Sequence, residues 1–217
     1  MNADLKELAA ALAHDLNNFL QVVLGNLELL KRRREFVPEI VETALGATRN
    51  SAALGERLHA LGRLQPPEPR AFDLNHFLRE FKDAVAQSLG AGVRLELALA
   101  ADLPSAYSDP RAVQLALLEL AANARAAMPG GGRLMIRTAR GPQGLVVLEV
   151  ADTGGGMSSA AIARAQAPLL SRAERGKPGS GLGLHIVDAC IRQAGGRVEL
   201  GASPGAGTTV KLYLPSA

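Results

Sequence analysis

Apolar positions in the first third of the chain recur at three- and four-residue intervals: Leu5, Leu8, Leu12, Leu16, Phe19, Val23, Leu27 and Leu30. A helix advances about 100° per residue, so this spacing predicts one helix over residues 3–33 with a single buried stripe. Ile40, Leu45, Leu54, Leu58 and Leu61 predict a second helix over residues 39–64, with Pro38 breaking the pattern between the two. Two helices bury two apolar stripes poorly, so the pair is expected to be a hairpin that forms a four-helix bundle as a symmetric dimer. Residues 65–70, Gln-Pro-Pro-Glu-Pro-Arg, are proline-rich and polar and read as a linker.

Beyond the linker the period becomes mixed. Asp73 is placed to cap a helix running to about residue 89, and residues 93–98 alternate as a strand. Asp109 before Pro110 puts a cap and a first-turn proline in order, opening a helix to about residue 128 that Gly130, Gly131 and Gly132 end. Strands are expected at 133–138 and 145–150, a helix at 181–194, and a closing hairpin from 197–200 and 208–214. One layer of helices on one layer of antiparallel strands is an α+β two-layer sandwich. The expected division is an all-α hairpin at 1–66 and the sandwich at 67–217.

Composition narrows the setting. Hydrophobic residues make up 47% of the chain and aromatics only 3%, so the core is aliphatic. No apolar run nears the roughly 20 residues that span a bilayer, and the N-terminus lacks a secretion signal pattern, so no membrane segment is expected. A single cysteine, Cys190, excludes an internal disulfide and fits a reducing cytoplasm. The net charge of +3, from 24 Lys and Arg against 21 Asp and Glu, gives no argument for nucleic acid. Its one basic cluster, residues 31–34, falls at the end of the first helix, where cations complement the helix dipole.

Four places carry candidate chemistry. His14 lies about 200° from both Leu12 and Leu16, so it points away from the apolar stripe, with Asp15 beside it and Asn18 one turn along. An exposed imidazole with a carboxylate and an amide suggests a nucleophile; alone, it also describes a solvated surface histidine. Glu119 and Asn123, four apart, share a helix face, and a neutral amide oxygen suits a hard cation such as Mg²⁺. Asp152 ends an apolar strand before Thr153, Gly154, Gly155 and Gly156, where a carboxylate can accept from an exocyclic amine and glycines admit close backbone approach. Gly179, Gly181, Leu182 and Gly183 open a helix, where backbone N–H groups can meet phosphate. Each alone could be a turn or a satisfied amide; their joint order, in the right strand and helix contexts, points to a nucleotide.

The order of these motifs resembles the catalytic region of bacterial two-component sensor histidine kinases over nearly all of the chain. AAALAHDLNNFLQVVLGNLELL is similar to the phosphoacceptor box of the subgroup reading AHDFNN, LALLELAANARAAMPGGGRL to the N-box, VADTGGGM to the first glycine box and GSGLGLHIV to the second. The resemblance implies a dimerisation and phosphotransfer hairpin followed by an ATP-binding sandwich of the Bergerat type, shared with gyrase, chaperone and MutL ATPases. On it, His14 would be phosphorylated and Asp15 would serve as general base. Asn18 would orient a water that dephosphorylates the partner response regulator. Asn123 would hold Mg²⁺, Asp152 would bind the adenine amine, and Gly154, Gly156, Gly179, Gly181 and Gly183 would shape the pocket and a lid between Met157 and Pro178. The implied activity is an ATP-dependent protein histidine kinase that passes phosphate to an Asp of a response regulator receiver domain.

The departures from the family pattern matter. Glu119 stands where relatives often carry Asn, and in gyrase-type ATPases a Glu at this site activates the nucleophile; catalysis by it, or a share in the metal, is expected here. Ala126 replaces an acidic residue of the NARDAMP pattern. The lid lacks the phenylalanines of FEPFFTTK, carrying Leu169 and Leu170, with Arg172, Arg175 and Lys177 near enough to screen phosphate. That bears on rate more than on nucleotide binding, and it keeps open a second reading, a degenerate kinase or phosphotransfer adaptor that docks regulators, and a third, a phosphatase-dominant regulator using Asn18. Cys190 and His185 read as structural, and His59 and His76 as surface residues without partner spacing.

Overall fold

Ala3–Arg33 forms one helix, α1, and Pro38–Arg63 a second, α2, close to the bounds that the apolar period predicts. Pro38 opens α2 at a position where its missing N–H would have had no intrahelical acceptor. This computed structural model describes residues 3–33, 37–63, 67–166 and 182–217. They fall into two compact units, α1 with α2 and the remainder. α2 turns small residues inward: Ala44, Ala47 and Ser51 are buried, and the Ser51 hydroxyl donates to Ala47 O at 2.9 Å, so no polar group is stranded. Leu16, Phe19, Val23 and Leu30 of the expected stripe are half-buried. Leu27 and Leu45 are not: they are 53% and 41% exposed, because one neighbouring helix covers only part of an apolar face. The side chains of Leu5, Leu8, Leu12, Leu54, Leu58 and Leu61 lie outside the described residues.

The second unit runs β1 (Arg70–Phe72), α3 (Leu74–Leu89), β2 (Val93–Ala98), β3 (Ala106–Ser108), α4 (Pro110–Ala127), β4 (Gly132–Arg140), β5 (Val146–Asp152), α5 (Ser159–Gln166), α6 (Leu182–Gln193), β6 (Arg197–Ala202) and β7 (Thr208–Leu214). Both predicted caps are present: Asp73 accepts from His76 N at 2.9 Å and Asp109 from Arg111 N at 2.9 Å. Five strands form one sheet in the order β2-β4-β5-β7-β6. Its inner face carries Leu134, Ile136, Leu148, Val150, Val210 and Leu212, in one core with Leu74 and Leu78 of α3, Leu117 and Leu120 of α4, and Val187 and Ile191 of α6. Each such side chain contributes roughly 1.5–3 kcal/mol on burial. The sandwich expected from the sequence is therefore present, an α+β sheet with helices on one face.

Four details correct the sequence reading. β2 pairs with β4 in parallel, not antiparallel; α4 intervenes between them, and a helical crossover returns the chain in the same direction. The short strands β1 and β3 pair with each other outside the main sheet, and α5 occupies part of the region read as a lid. His76 has a partner, with Nε2 3.3 Å from the Glu80 carboxylate one turn on.

Polar contacts tie the layers. Thr138 donates to Asn75 Oδ1 at 2.8 Å, Asn75 Nδ2 donates to Ala100 O at 2.8 Å, and Ala100 N donates to Thr138 Oγ1 at 2.9 Å. This closed ring pins α3 to β4 without leaving a buried donor unmet. On the outer sheet face Arg137 stands opposite Glu149, Glu149 opposite Lys211, and Lys211 opposite Glu199. Beside that row, Tyr213 donates to Glu199 at 2.6 Å and lies under the Arg197 guanidinium, 3.8 Å from its ring centre.

Candidate functional site

The helical period of α4 sets Glu119 and Asn123 on one face, as their spacing requires. Glu119 is buried and Asn123 half-buried. The first turn of α6 crosses directly over them. A Cβ at Gly183 would lie 2.9 Å from Asn123 Nδ2 and 3.0 Å from Glu119 Oε2, so any larger residue here would displace those two side chains.

One turn beyond Asn123, the end of α4 touches the loop after β5, where Gly155 N donates to Ala127 O at 3.3 Å. That loop begins at Asp152. Its Oδ1 accepts from Gly154 N at 2.8 Å and from Thr208 N at 3.2 Å. Two backbone donors thus fix the carboxylate through one oxygen. Gly156 has φ +66°, and a Cβ on it would sit 1.9 Å from Ser203 O, which ties this loop to the β6–β7 turn. The pieces brought together are Glu119, Asn123 and Gly183 on one side and Asp152 with Gly154 on the other, joined through the last turn of α4. Gly179 and Gly181 lie outside the described residues, as does most of the lid, including Leu169, Leu170, Arg172, Arg175 and Lys177. So does the side chain of Leu182, although its backbone opens α6.

Among the described residues, no three or more His, Cys, Asp or Glu gather as a metal cage. The donor set here, one amide and one buried carboxylate, instead fits Mg²⁺, which keeps most of its waters and takes phosphate oxygens from a substrate. Cys190 is buried in α6, and that burial, reinforced by the carboxylates of Glu119 and Asp109, pushes its thiol up to about 12. It is a neutral packing residue, as its sequence context suggested.

Thr208 escaped the sequence reading. Its contribution to Asp152 is a backbone N–H, which side-chain identity does not advertise; the only signal is the glycine-rich turn just before it.

In the other unit, His14 is exposed on α1 and its Nδ1 lies 3.1 Å from Asn18 Nδ2. Asp15 lies on the same helix, its side chain outside the described residues.

A carboxylate at a strand end, glycine loops on either side of it and an Asn-bearing helix over one face of a mixed sheet define an ATP-binding sandwich. The sequence pattern of histidine kinase-, DNA gyrase B- and HSP90-like ATPases matches residues 108–217, and the chain belongs to this family. It is 32% identical over 227 residues to the sensor kinase CckA of Brucella abortus, spanning 96% of this chain and 24% of that protein. It is 30% identical over 219 residues to the histidine protein kinase DivJ of Caulobacter vibrioides, spanning 95% and 36%. With the sensory histidine kinase/phosphatase NtrB of Rhodobacter capsulatus it shares 27% identity over 227 residues, spanning 97% and 62%. The chain thus spans less than two thirds of each of these relatives. In fold it is similar to the Acinetobacter baumannii histidine kinase AdeS, with TM-score 0.61 at 21% identity over 94% of this chain and 98% of that one. Full-length ShkA in complex with AMPPNP gives a TM-score of 0.60 at 24% identity over 96% of this chain and 45% of that one.

Proposed function

We propose that the chain is the catalytic region of an ATP-dependent protein histidine kinase, with residues 1–66 as the dimerisation and phosphotransfer hairpin and 67–217 as the ATP-binding domain. The observation that carries the reading is the Asp152 carboxylate, held through one oxygen by Gly154 and Thr208 N–H groups, in the same unit as the Glu119–Asn123 face. Its other oxygen accepts the adenine amine. Asn123 and Glu119 would hold Mg²⁺, which would supply screening of the phosphate charge. A ring nitrogen of His14 attacks the γ-phosphorus, the P–O bond to the leaving ADP breaks, and the ring proton passes to Asp15. The phosphoryl group then moves to an Asp of a response regulator, and Asn18 orients the water that later removes it. On this reading the chain works in the cytoplasm.

The exposed face of α1 supports two partners. Leu20, Leu24 and Leu27, each at least half exposed, form a stripe that a second copy covers in a four-helix bundle. The His14 face continues through Asn18, Val22, Gly25, Leu29 and Arg32, and Val22 and Leu29 are exposed on it; a receiver domain docking beside His14 covers these. Leu169 and Leu170 in the lid favour the alternative of a docking adaptor with little autokinase activity.

Incubation with Mg-ATP decides between them. The kinase reading expects an acid-labile, base-stable phosphoryl group that His14→Ala abolishes. ATP binding without label selects the adaptor or phosphatase reading.

A further inference from the structure

Residues 66–69 read Pro-Pro-Glu-Pro, so three of these four positions have no backbone N–H. The one donor belongs to Glu68, and it is spent on a buried carboxylate: Glu68 N donates to Asp109 Oδ2 at 3.0 Å. Asp109 is 2% exposed and divides its oxygens between two tasks. Oδ1 caps α4, accepting from Arg111 N at 2.9 Å and from Arg111 Nε at 3.1 Å. Oδ2 holds Glu68 and accepts from Arg111 Nη2 at 2.9 Å. Arg111 Nη2 also lies 3.5 Å from the Glu68 carboxylate, and Arg70 pairs with Ser108 where β1 joins β3.

A proline-rich segment is a semi-rigid spacer, and this one is fastened at its only donor to the cap of the helix that carries Glu119 and Asn123. That helix has little slack. Its middle packs closely on Gly183, where a Cβ would come within 2.9 Å of Asn123 Nδ2, and its last turn accepts from the loop after Asp152. A shift at its cap is therefore delivered along a rigid rod to the nucleotide face.

We propose that Asp109 and Glu68 are positioning residues for the nucleotide site: their bond latches the proline-rich segment to α4, so that latch closure and nucleotide occupancy are coupled. The inference rests on the nucleotide reading above. Coupling is reciprocal: bound nucleotide tightens the latch, and an open latch weakens nucleotide binding.

The test uses the full chain, Mg²⁺ and a non-hydrolysable ATP analogue. Hydrogen exchange at the Glu68 amide reads the latch directly, and calorimetry reads affinity. The Glu68 amide should be protected in the free protein and more protected with nucleotide. Glu68→Pro deletes the donor; Asp109→Asn keeps an oxygen for the cap but turns an amide NH₂ toward Glu68. Both should weaken binding at least about fivefold, the lower end of ordinary coupling, while Glu68→Gln, which keeps the N–H, should stay within about twofold. Attack from opposite ends of one bond, with an unaffected control, separates the latch from misfolding. A Glu68 amide exchanging like an unstructured peptide overturns the proposal, as do both variants binding like wild type. A wild type that binds no nucleotide removes the nucleotide reading and the coupling together, whereas normal binding by all variants removes the coupling alone.

Discussion

Asn18 sets its amide nitrogen 3.1 Å from Nδ1 of His14, one helical turn away. An amide N–H only donates, so this contact suits the tautomer of a neutral ring with its proton on Nε2. On the proposed kinase reading, attack by Nε2 would need the ring proton on Nδ1 instead, with the amide rotated or the contact broken. Asn18→Asp, whose carboxylate only accepts, should favour the Nδ1–H form and raise the initial rate of His14 phosphorylation. Asn18→Ala should leave that rate within about threefold and slow regulator dephosphorylation by tenfold or more, on the scale of a lost general catalyst. Radiolabel incorporation and regulator dephosphorylation assays read the two separately; equal losses in both would contradict this assignment.

Glu119→Gln tests whether the carboxylate activates water. Gln keeps the shape of this buried side chain, so thermal unfolding should be little altered while ATP hydrolysis, followed by phosphate release, falls by about 100-fold or more. Unchanged hydrolysis and unchanged autophosphorylation would sink the idea.

Asp152→Asn should keep one oxygen for Gly154 and Thr208 but present an NH₂ to the adenine amine, donor against donor. The expected loss in ATP affinity is about 10- to 100-fold, since a hydrogen bond to a charged group is worth roughly 1.5–3 kcal/mol. Thermal unfolding should be little altered. ATP affinity equal to wild type by calorimetry would remove Asp152 from the adenine site.

The Asn75–Thr138–Ala100 ring predicts a stability effect remote from any chemistry. Thr138→Val leaves Asn75 Oδ1 and Ala100 N without their hydroxyl, at a cost of about 1–3 kcal/mol in urea unfolding.

Acid sensitivity should trace partly to Asp109. Burial works against its charge, but the Arg111 side chain and the N–H groups of Glu68 and Arg111 outweigh it and hold the carboxyl below its usual range. The folded value is therefore the lower one. The stability it contributes is present above the unfolded value, about 3.9, and is lost as pH falls through the folded value. The difference in urea stability between wild type and Asp109→Asn should stay constant from about pH 7 to 5 and shrink only below about pH 4. Shrinkage already between pH 7 and 5 would assign the effect to another group.

What could be read from sequence was local. Asp109 and Pro110 announce the start of α4 within two residues, and the spacing of Glu119 and Asn123 places them on one face without knowledge of anything distant. The parallel pairing of β2 with β4 was not readable, because a strand's own alternation says nothing of its neighbour's direction. β1 and β3, three residues each, have too little periodicity to show, and they exist only through pairing between segments distant in the chain, Arg70 with Ser108 for one. The site divides the same way. Asp152 stood out by its chemistry, while Thr208, which helps hold it, contributes only a backbone N–H.

The charged row on the outer sheet face has a further consequence. With Arg137, Glu149, Lys211 and Glu199 each facing an opposite sign across successive strands, the row acts as a registration code. A slip of β7 by one residue would turn Lys211 into the aliphatic interior. A slip by two would keep the faces but set Glu149 against Thr209 or Tyr213. Only the native alignment neutralises all four charges, so this solvent-washed surface proofreads the strand pairing of the core beneath it.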